Sequence, residues 1–309
     1  MTNSISNNHS FGTYIWKKDA GKLLFWVTCG FVILCQVIYR ILTVTGLNVP
    51  AFISPDYINT VGCAVFVIWH GTITKGWKRS LVAFITLYLV GFIMEGLGVN
   101  FGLIFGPYHY VDLYGPRVFG VPFIVPIAWE LFMYPAFYLA SFLIPSGTKT
   151  KLEKWWQKGI YVILLATVSG IICTCYDLIT DPVVCGTGPG WIWHLSSDYM
   201  TFIHGGIPLV NYTGWILTGF IGSALYYFIL ESTPGDRHVK SNFLIVGVPL
   251  VIYIGILSMP VTMNIVVFHS QAIWLETIMG MGFVILLVLG KYFSQKFGFF
   301  DVDPTISHS

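Results

Sequence analysis

Residues 159–182 read GIYVILLATVSGIICTCYDLITDP, a run with no charged side chain before Asp177. A helix that crosses a bilayer needs about 20 predominantly apolar residues, so this stretch predicts a transmembrane helix. The same stretch ends in two carboxyl groups, Asp177 and Asp181, which are unusual in such a segment. The stretch therefore predicts a membrane protein and raises the question of what the two carboxyl groups do.

Similar apolar runs recur along the whole chain. The eight predicted spans are roughly 23–45, 58–74, 80–98, 119–144, 159–180, 207–230, 242–260 and 269–290, of which the second is short. They predict an all-α, polytopic membrane helix bundle. Since no linker or repeat divides the chain, we expect a single integral-membrane domain over residues 1–309, with flexible polar tails at 1–15 and 300–309.

The composition agrees with a membrane protein. Of the 309 residues, 55% are hydrophobic and only 10% are charged, and the mean hydropathy is +0.74. Soluble globular domains carry about 25% charged residues, so a soluble enzyme and a disordered scaffold are excluded. The net charge of +2 gives no reason to expect a nucleic-acid partner.

The basic residues predict the orientation in the membrane. With the N-terminus placed inside, 14 of the 16 Lys and Arg residues fall in the N-terminal segment, the inner loops and the C-terminal tail. Only Arg40 and Arg117 fall toward the outer side. Because cytoplasmic loops carry an excess of Lys and Arg, both termini are expected to be cytoplasmic.

Carboxyl groups inside the predicted spans are the first functional candidates, because ionisable residues are costly in a bilayer. They are Glu95, Glu130, Asp177, Asp181 and Glu276. Asp177 and Asp181 are four residues apart and would share one helix face, although Pro182 predicts that the helix unwinds at Asp181. For Glu130 and Glu276, an ordinary hydrogen bond between helices is an equally good interpretation.

Two long connections on the predicted outer side are rich in Gly, Pro and aromatic residues and poor in charge. They cover roughly residues 98–117 and 181–215, and we expect them to fold over the mouth of the bundle. An interfacial aromatic belt is the alternative interpretation. His109, His194 and His204 lie in these connections and are candidates for orienting a substrate.

An acidic, aromatic and apolar pocket fits one type of chemistry. A protonated carboxyl group in a dry site can protonate an alkene, and aromatic faces stabilise the resulting tertiary carbocation. A second carboxylate can activate water or remove a proton. This scheme needs no cofactor, and the sequence has no dinucleotide loop, P-loop or Cys/His spacing typical of a metal site.

Several motifs resemble, in the same order, those of the membrane carotenoid-biosynthesis family, which includes carotenoid 1,2-hydratases and bisanhydrobacterioruberin hydratases. The similarity covers about residues 80–230. Its motifs are Glu95-x-x-Gly98, Phe105-Gly106-x-Tyr108-x-Tyr110, Gly120-Val-Pro122, Pro126-x-x-Trp129, Asp177-x-x-x-Asp181-Pro182, Trp191-x-Trp193 and Gly206-Ile-Pro208-x-x-Asn211-x-x-Gly214-Trp215.

The resemblance implies that water is added across the terminal double bond of an acyclic carotenoid. The carotenoid would come from the lipid bilayer, and other enzymes of the carotenoid pathway would be partners. We expect Glu95 or Asp181 to donate the proton and Asp177 to orient or activate water. Asn211 and His109 would position water or a carboxyl group. The expected substrate contacts are Tyr108, Tyr110, Trp129, Trp191, Trp193, Trp215 and Glu130.

Other functions remain open at this stage. A lycopene-type cyclase would use the same protonation step, with a neighbouring alkene instead of water capturing the cation. An intramembrane prenyltransferase would need a second Asp-rich motif, and it would need Lys or Arg residues to bind the diphosphate. Near the predicted site on the outer side, Arg117 is the one such basic residue. A transporter or non-catalytic isoprenoid-binding protein would also tolerate carboxyl groups in its spans.

Overall fold

The structure is a computed structural model of the chain. It describes residues 4–47, 49–50, 53–144, 155–187, 190–196, 201, 206–232 and 243–297. His204 and the segment 300–309 lie outside these residues, whereas part of the predicted N-terminal tail belongs to the first helix, which begins at Ser4.

Helices dominate the described residues and confirm the predicted all-α bundle. They are α1 (Ser4–Thr45), α2 (Pro55–Lys75), α3 (Trp77–Phe101), α4 (Ile124–Leu143), α5 (Trp155–Thr187), α6 (Leu209–Ser232), α7 (Phe243–Met263), α8 (Gln271–Thr277) and α9 (Phe283–Phe297). Short π-helices follow α7 at Asn264–Phe268 and join α8 to α9 at Ile278–Gly282.

Seven helical segments among the described residues are long and apolar enough to cross a membrane. The last of them, Gln271–Gln295, is built from α8, the π-helix and α9. The second predicted span corresponds to α2, which is 21 residues long but is not one of these seven. Among the described residues there are therefore seven candidate spans by length and composition, and eight if α2 also crosses the membrane.

Helices α5 and α6 approach each other to backbone contact. A Cβ atom at Gly170 would clash with the carbonyl oxygen of Ile216, and one at Gly219 would lie 2.8 Å from the Cα atom of Gly170. Small residues at a helix crossing allow this close approach in a membrane. The contact fixes the carboxyl end of α5 beside the amino end of α6, where Asn211 lies.

The end of α5 corrects one prediction from the sequence. The helix does not unwind at Asp181 but continues to Thr187, with Pro182 inside it. Proline removes one helical hydrogen bond, but this local cost does not decide the conformation when a helix is packed along a neighbour. Asp177 and Asp181 therefore lie on continuous helix, one turn apart.

Two short antiparallel ribbons occupy the connections between helices. In the first, β1 (Tyr108–Tyr110) pairs with β4 (Trp191–Trp193), so that Tyr108 faces Trp193 and Tyr110 faces Trp191. In the second, β2 (Arg117–Val118) pairs with β3 (Val121–Pro122). The predicted span at 119–144 is thus wrong at its start, because Gly120 turns this ribbon with a φ of +77° and α4 begins only at Ile124.

Candidate active site

Glu95 is held by three hydrogen bonds at the end of α3. Trp129 Nε1 donates to Oε1 over 2.6 Å, Tyr110 donates its hydroxyl proton to Oε2 over 2.6 Å, and Tyr108 donates to the same Oε2 atom. The side chain is only 5% exposed. Donors from α4 and from β1 therefore meet on one carboxyl group, and three such bonds stabilise its ionised form.

The two tyrosines remain neutral donors. Burial raises the pKa of the Tyr108 and Tyr110 hydroxyls well above the ordinary value for tyrosine, and the negative charge of Glu95 raises both further. Because successive side chains of a strand point to opposite faces, Tyr108 and Tyr110 turn inward together while His109 between them points outward.

A second carboxyl cluster lies between α5 and α6. The amide nitrogen Nδ2 of Asn211 donates to Oδ2 of Asp177 and to Oδ2 of Asp181, each over 2.6 Å. All three side chains are buried. The other oxygen of Asp177, Oδ1, has no hydrogen-bond partner among the described residues. Since both carboxyl groups accept from the same nitrogen atom, they lie close to each other. Two neighbouring carboxylates repel each other, which favours the state in which the pair keeps one proton.

Aromatic rings surround the two carboxyl clusters. Trp129 packs on Trp215 with the ring centroids 4.2 Å apart, and Phe132 stacks on Tyr176 at 4.1 Å. The ring of Tyr108 lies 5.0 Å from that of Trp193. The π faces of such rings attract a cation, so the walls suit a positively charged intermediate.

These groups line a cavity of about 390 Å³. It lies at the end of the bundle where α3 and α5 finish and where α4 and α6 begin. Glu95, Asp181 and Asn211 reach it from three different helices. The aromatic lining residues predicted from the sequence are Tyr108, Tyr110, Trp129, Trp191, Trp193 and Trp215.

Five described residues that were candidates from the sequence do not line this cavity, namely Asp177, Glu130, Glu276, His109 and His194. Asp177 lies behind Asp181 and Asn211, which it contacts through the shared hydrogen bond. His109 is on the outer face of β1, where its ring stacks on that of His194 with centroids 4.7 Å apart. Glu130 is fully buried in α4, with both carboxyl oxygens lacking a hydrogen-bond partner among the described residues. The geometry gives no support for a site role of His109 or Glu130.

The cavity also has lining residues that the sequence analysis did not single out. Phe132 lies three residues after Trp129, a helical spacing that predicts a shared face and could have found it. A whole wall was missed, because its residues are ordinary types in α1, α2, α7 and the connection from α1 to α2. Its members are Tyr39, Val49, Ser54, Tyr57, Asn59, Thr60, Ile256, Pro260 and Met263.

Metal ligation has no support in the part of the chain that the structure describes. No group of three or more His, Cys, Asp or Glu side chains there is placed to hold a metal ion. The polar and aromatic groups at the cavity include the carboxyl groups, the amide of Asn211 and the aromatic rings.

Comparison with known proteins gives the family. The chain is 29% identical to a bisanhydrobacterioruberin hydratase from Haloarcula japonica over 165 residues, which is 53% of this chain and 50% of that protein. The matched region thus spans about half the length of this curated relative. No solved structure matches the chain. The model of the family described as carotenoid biosynthesis protein matches residues 56–287, which include both carboxyl clusters and most of the cavity wall. The chain therefore belongs to the carotenoid biosynthesis protein family.

Proposed function

We propose that this protein is a hydratase that adds water across the terminal double bond of an acyclic carotenoid. The observation that carries the proposal is the meeting of Asp181 and Glu95 in one aromatic cavity, each held in a different hydrogen-bonding environment. Glu95 accepts three hydrogen bonds, whereas Asp181 shares a single donor with Asp177, so the two carboxyl groups are suited to different roles in an acid and base pair. Membership of the family and the hydratase relative support the same reaction.

Asp181 is the proton donor in this proposal. It shares the Asn211 amide with Asp177, and the pair carries one proton because two neighbouring carboxylates repel each other. Asp181 lines the cavity and Asp177 does not, so the proton leaves from Asp181. It is transferred to the less substituted carbon of the terminal alkene, and the π electron pair forms the new C–H bond.

The cation then forms on the carbon that carries two methyl groups. Trp129, Trp215 and Tyr108 present their rings to the cavity and stabilise this charge by cation–π attraction, which is worth about 2 kcal/mol or more per ring in a desolvated site. The ionised Glu95 adds a fixed negative charge nearby. A bound water attacks the cation, and its surplus proton returns to the carboxyl clusters, so that no net proton is consumed.

The polar part of the lining favours water over a neighbouring alkene as the group that captures the cation. Asn211, Asn59, Ser54 and Thr60 all line the cavity and offer hydrogen-bonding groups. A bound water typically makes about two to four hydrogen bonds, and the carbonyl oxygen of the Asn211 side chain and the carboxyl group of Asp181 are polar partners for it beside the proposed proton donor. A cyclase needs the opposite, a dry wall that folds the chain back on itself.

In the membrane, we place both termini on the cytoplasmic side and the cavity toward the outer face. The distribution of Lys and Arg supports this orientation. The carotenoid comes from the bilayer, and enzymes that make acyclic carotenoids are the partners that would supply it. None of these steps requires a cofactor.

Pigment analysis in a host that makes lycopene tests the proposal. Three strains are compared, which express the unaltered protein, Asp181→Asn and Glu130→Gln. Glu130→Gln is the matched control, because Glu130 is a buried carboxyl group that does not line the cavity. Loss of a general acid costs about 100- to 10,000-fold in rate. We expect a more polar pigment, heavier by one water, from the protein and from Glu130→Gln, and none from Asp181→Asn.

The alternatives give different results in the same experiment. A product of unchanged mass with cyclic end groups identifies a cyclase. No new pigment from the unaltered protein supports a transporter or binding protein. Hydration that survives in Asp181→Asn at the full rate refutes the role of Asp181 and leaves the hydratase activity in place.

A further inference from the structure

The size of the cavity limits how much of a carotenoid can enter it. A volume of about 390 Å³ corresponds, at about 30 Å³ for each water-sized group, to room for on the order of a dozen non-hydrogen atoms. An acyclic carotenoid contains several times as many carbon atoms. Only one end of such a chain fits beside Asp181 and Glu95, and the remainder must leave the cavity through an opening.

One residue of the lining is more exposed than the others. Glu95, Asp181 and Asn211 are each 5% exposed or less, whereas Val49, in the connection between α1 and α2, is 36% exposed. Its neighbours in the lining, Tyr39 on α1 and Tyr57 on α2, are also partly exposed. Trp191 and Trp193 of β4 are partly exposed as well, so Val49 alone marks the most open part of the lining.

The surface around this opening is apolar. Leu47 and Ile53 flank Val49 along the chain and are 62% and 48% exposed. On the other side, Met263 lines the cavity, and Ile265 and Val267 follow it on the π-helix with large exposed fractions. An opening rimmed by exposed apolar side chains suits contact with hydrocarbon and not with water.

We infer that Leu47, Val49 and Ile53, which lie between α1 and α2, and the end of α7 form a lateral portal, through which the substrate enters end first while most of its polyene chain stays in the bilayer. This inference rests on the proposed function for the identity of the hydrocarbon. Val49, Tyr39 and Met263 contact the part of the chain nearest the reacting end. Each end of a symmetrical carotenoid is then hydrated in a separate binding event, after the product has left and turned around.

Labelling of an introduced thiol tests the portal without relying on turnover. The variant Val49→Cys is reacted in nanodiscs with a lipophilic maleimide, with and without lycopene, and the labelled peptide is quantified by mass spectrometry. The matched control is Val65→Cys, which faces outward on α2 and does not line the cavity. We expect lycopene to slow labelling at position 49 about tenfold or more, and to leave labelling at position 65 unchanged.

The outcomes separate this inference from the proposed function. Equal labelling with and without lycopene at position 49, in a preparation that hydrates lycopene, overturns the portal and keeps the hydratase. Protection at position 49 without any hydrated product keeps the portal and refutes the proposed activity. Val49→Trp gives a second measurement, since filling the portal should raise KM for lycopene about tenfold, whereas Val65→Trp should not.

Discussion

Removing one hydrogen-bond donor from Glu95 tests whether the proposed hydration rate depends on a negative charge at this carboxyl group. Tyr110→Phe deletes only the hydroxyl that donates to Oε2 over 2.6 Å. The ring keeps its edge contacts with Tyr108 and Trp191, and Glu95 keeps two donors. The variant should therefore fold normally.

The magnitude follows from the charge on the acceptor. A hydrogen bond to a charged group contributes about 1.5–3 kcal/mol, so its loss favours the protonated form of Glu95 by that amount. If only the anion is active, kcat/KM falls by up to about 10- to 160-fold. The assay is hydration of lycopene by the purified protein in nanodiscs, with initial rates measured from the hydrated product.

A double-mutant cycle makes the reasoning refutable. Glu95→Gln removes the charge that the Tyr110 hydroxyl stabilises, so adding Tyr110→Phe to it should cost less than about threefold. If Tyr110→Phe lowers the rate equally in both backgrounds, the hydroxyl acts on something other than Glu95. If it lowers the rate in neither, Glu95 does not act as an anion, and the assigned roles must be revised.

Three further predictions concern the rest of the site. Asn211→Ala leaves Asp177 and Asp181 without their shared donor. The variant should hydrate lycopene about tenfold or more slowly, and its free energy of unfolding should fall by about 1–3 kcal/mol. An unchanged melting curve would contradict this structure of the cluster. Gly214→Ala places a Cβ atom against the carbonyl oxygen of Ile104, so detergent-solubilised protein should melt at a lower temperature, with overpacking costing about 1–3 kcal/mol. His109→Ala changes a side chain outside the cavity and should leave the rate within about twofold of the unaltered protein, while a large loss would return His109 to the site.

Local sequence patterns predicted the features that depend on neighbouring residues. The helical period places Asp177 and Asp181 on one face, and the structure has them one turn apart on α5 with a common donor. The aromatic residues in the connections were also predicted to gather over the carboxyl groups. What the sequence could not give is the pairing of β1 with β4, since the two strands are far apart along the chain.

The errors have the same physical origin. Pro182 disfavours a helix locally, but α5 stays helical to Thr187, and the residue before Pro182, Asp181, is hydrogen-bonded to Asn211 of α6. The start of α4 was misplaced because an apolar run does not distinguish a span from a short ribbon. The wall formed by α1, α2 and α7 carries ordinary residues with no special spacing, so only the three-dimensional arrangement places Val49 at the cavity.

The pairing of β1 with β4 has a consequence for how the protein is made. Residues 191–193 follow α4 and α5 along the chain, so the ribbon forms only after both of these helices have been synthesised. Asp181 likewise waits for Asn211, at the start of α6, to supply its hydrogen bond. A chain interrupted before α6 thus lacks Trp215 and the Asn211 amide that aligns Asp181. The site to which we assign alkene protonation is therefore assembled only after α6 and α7, which both line the cavity, have been made.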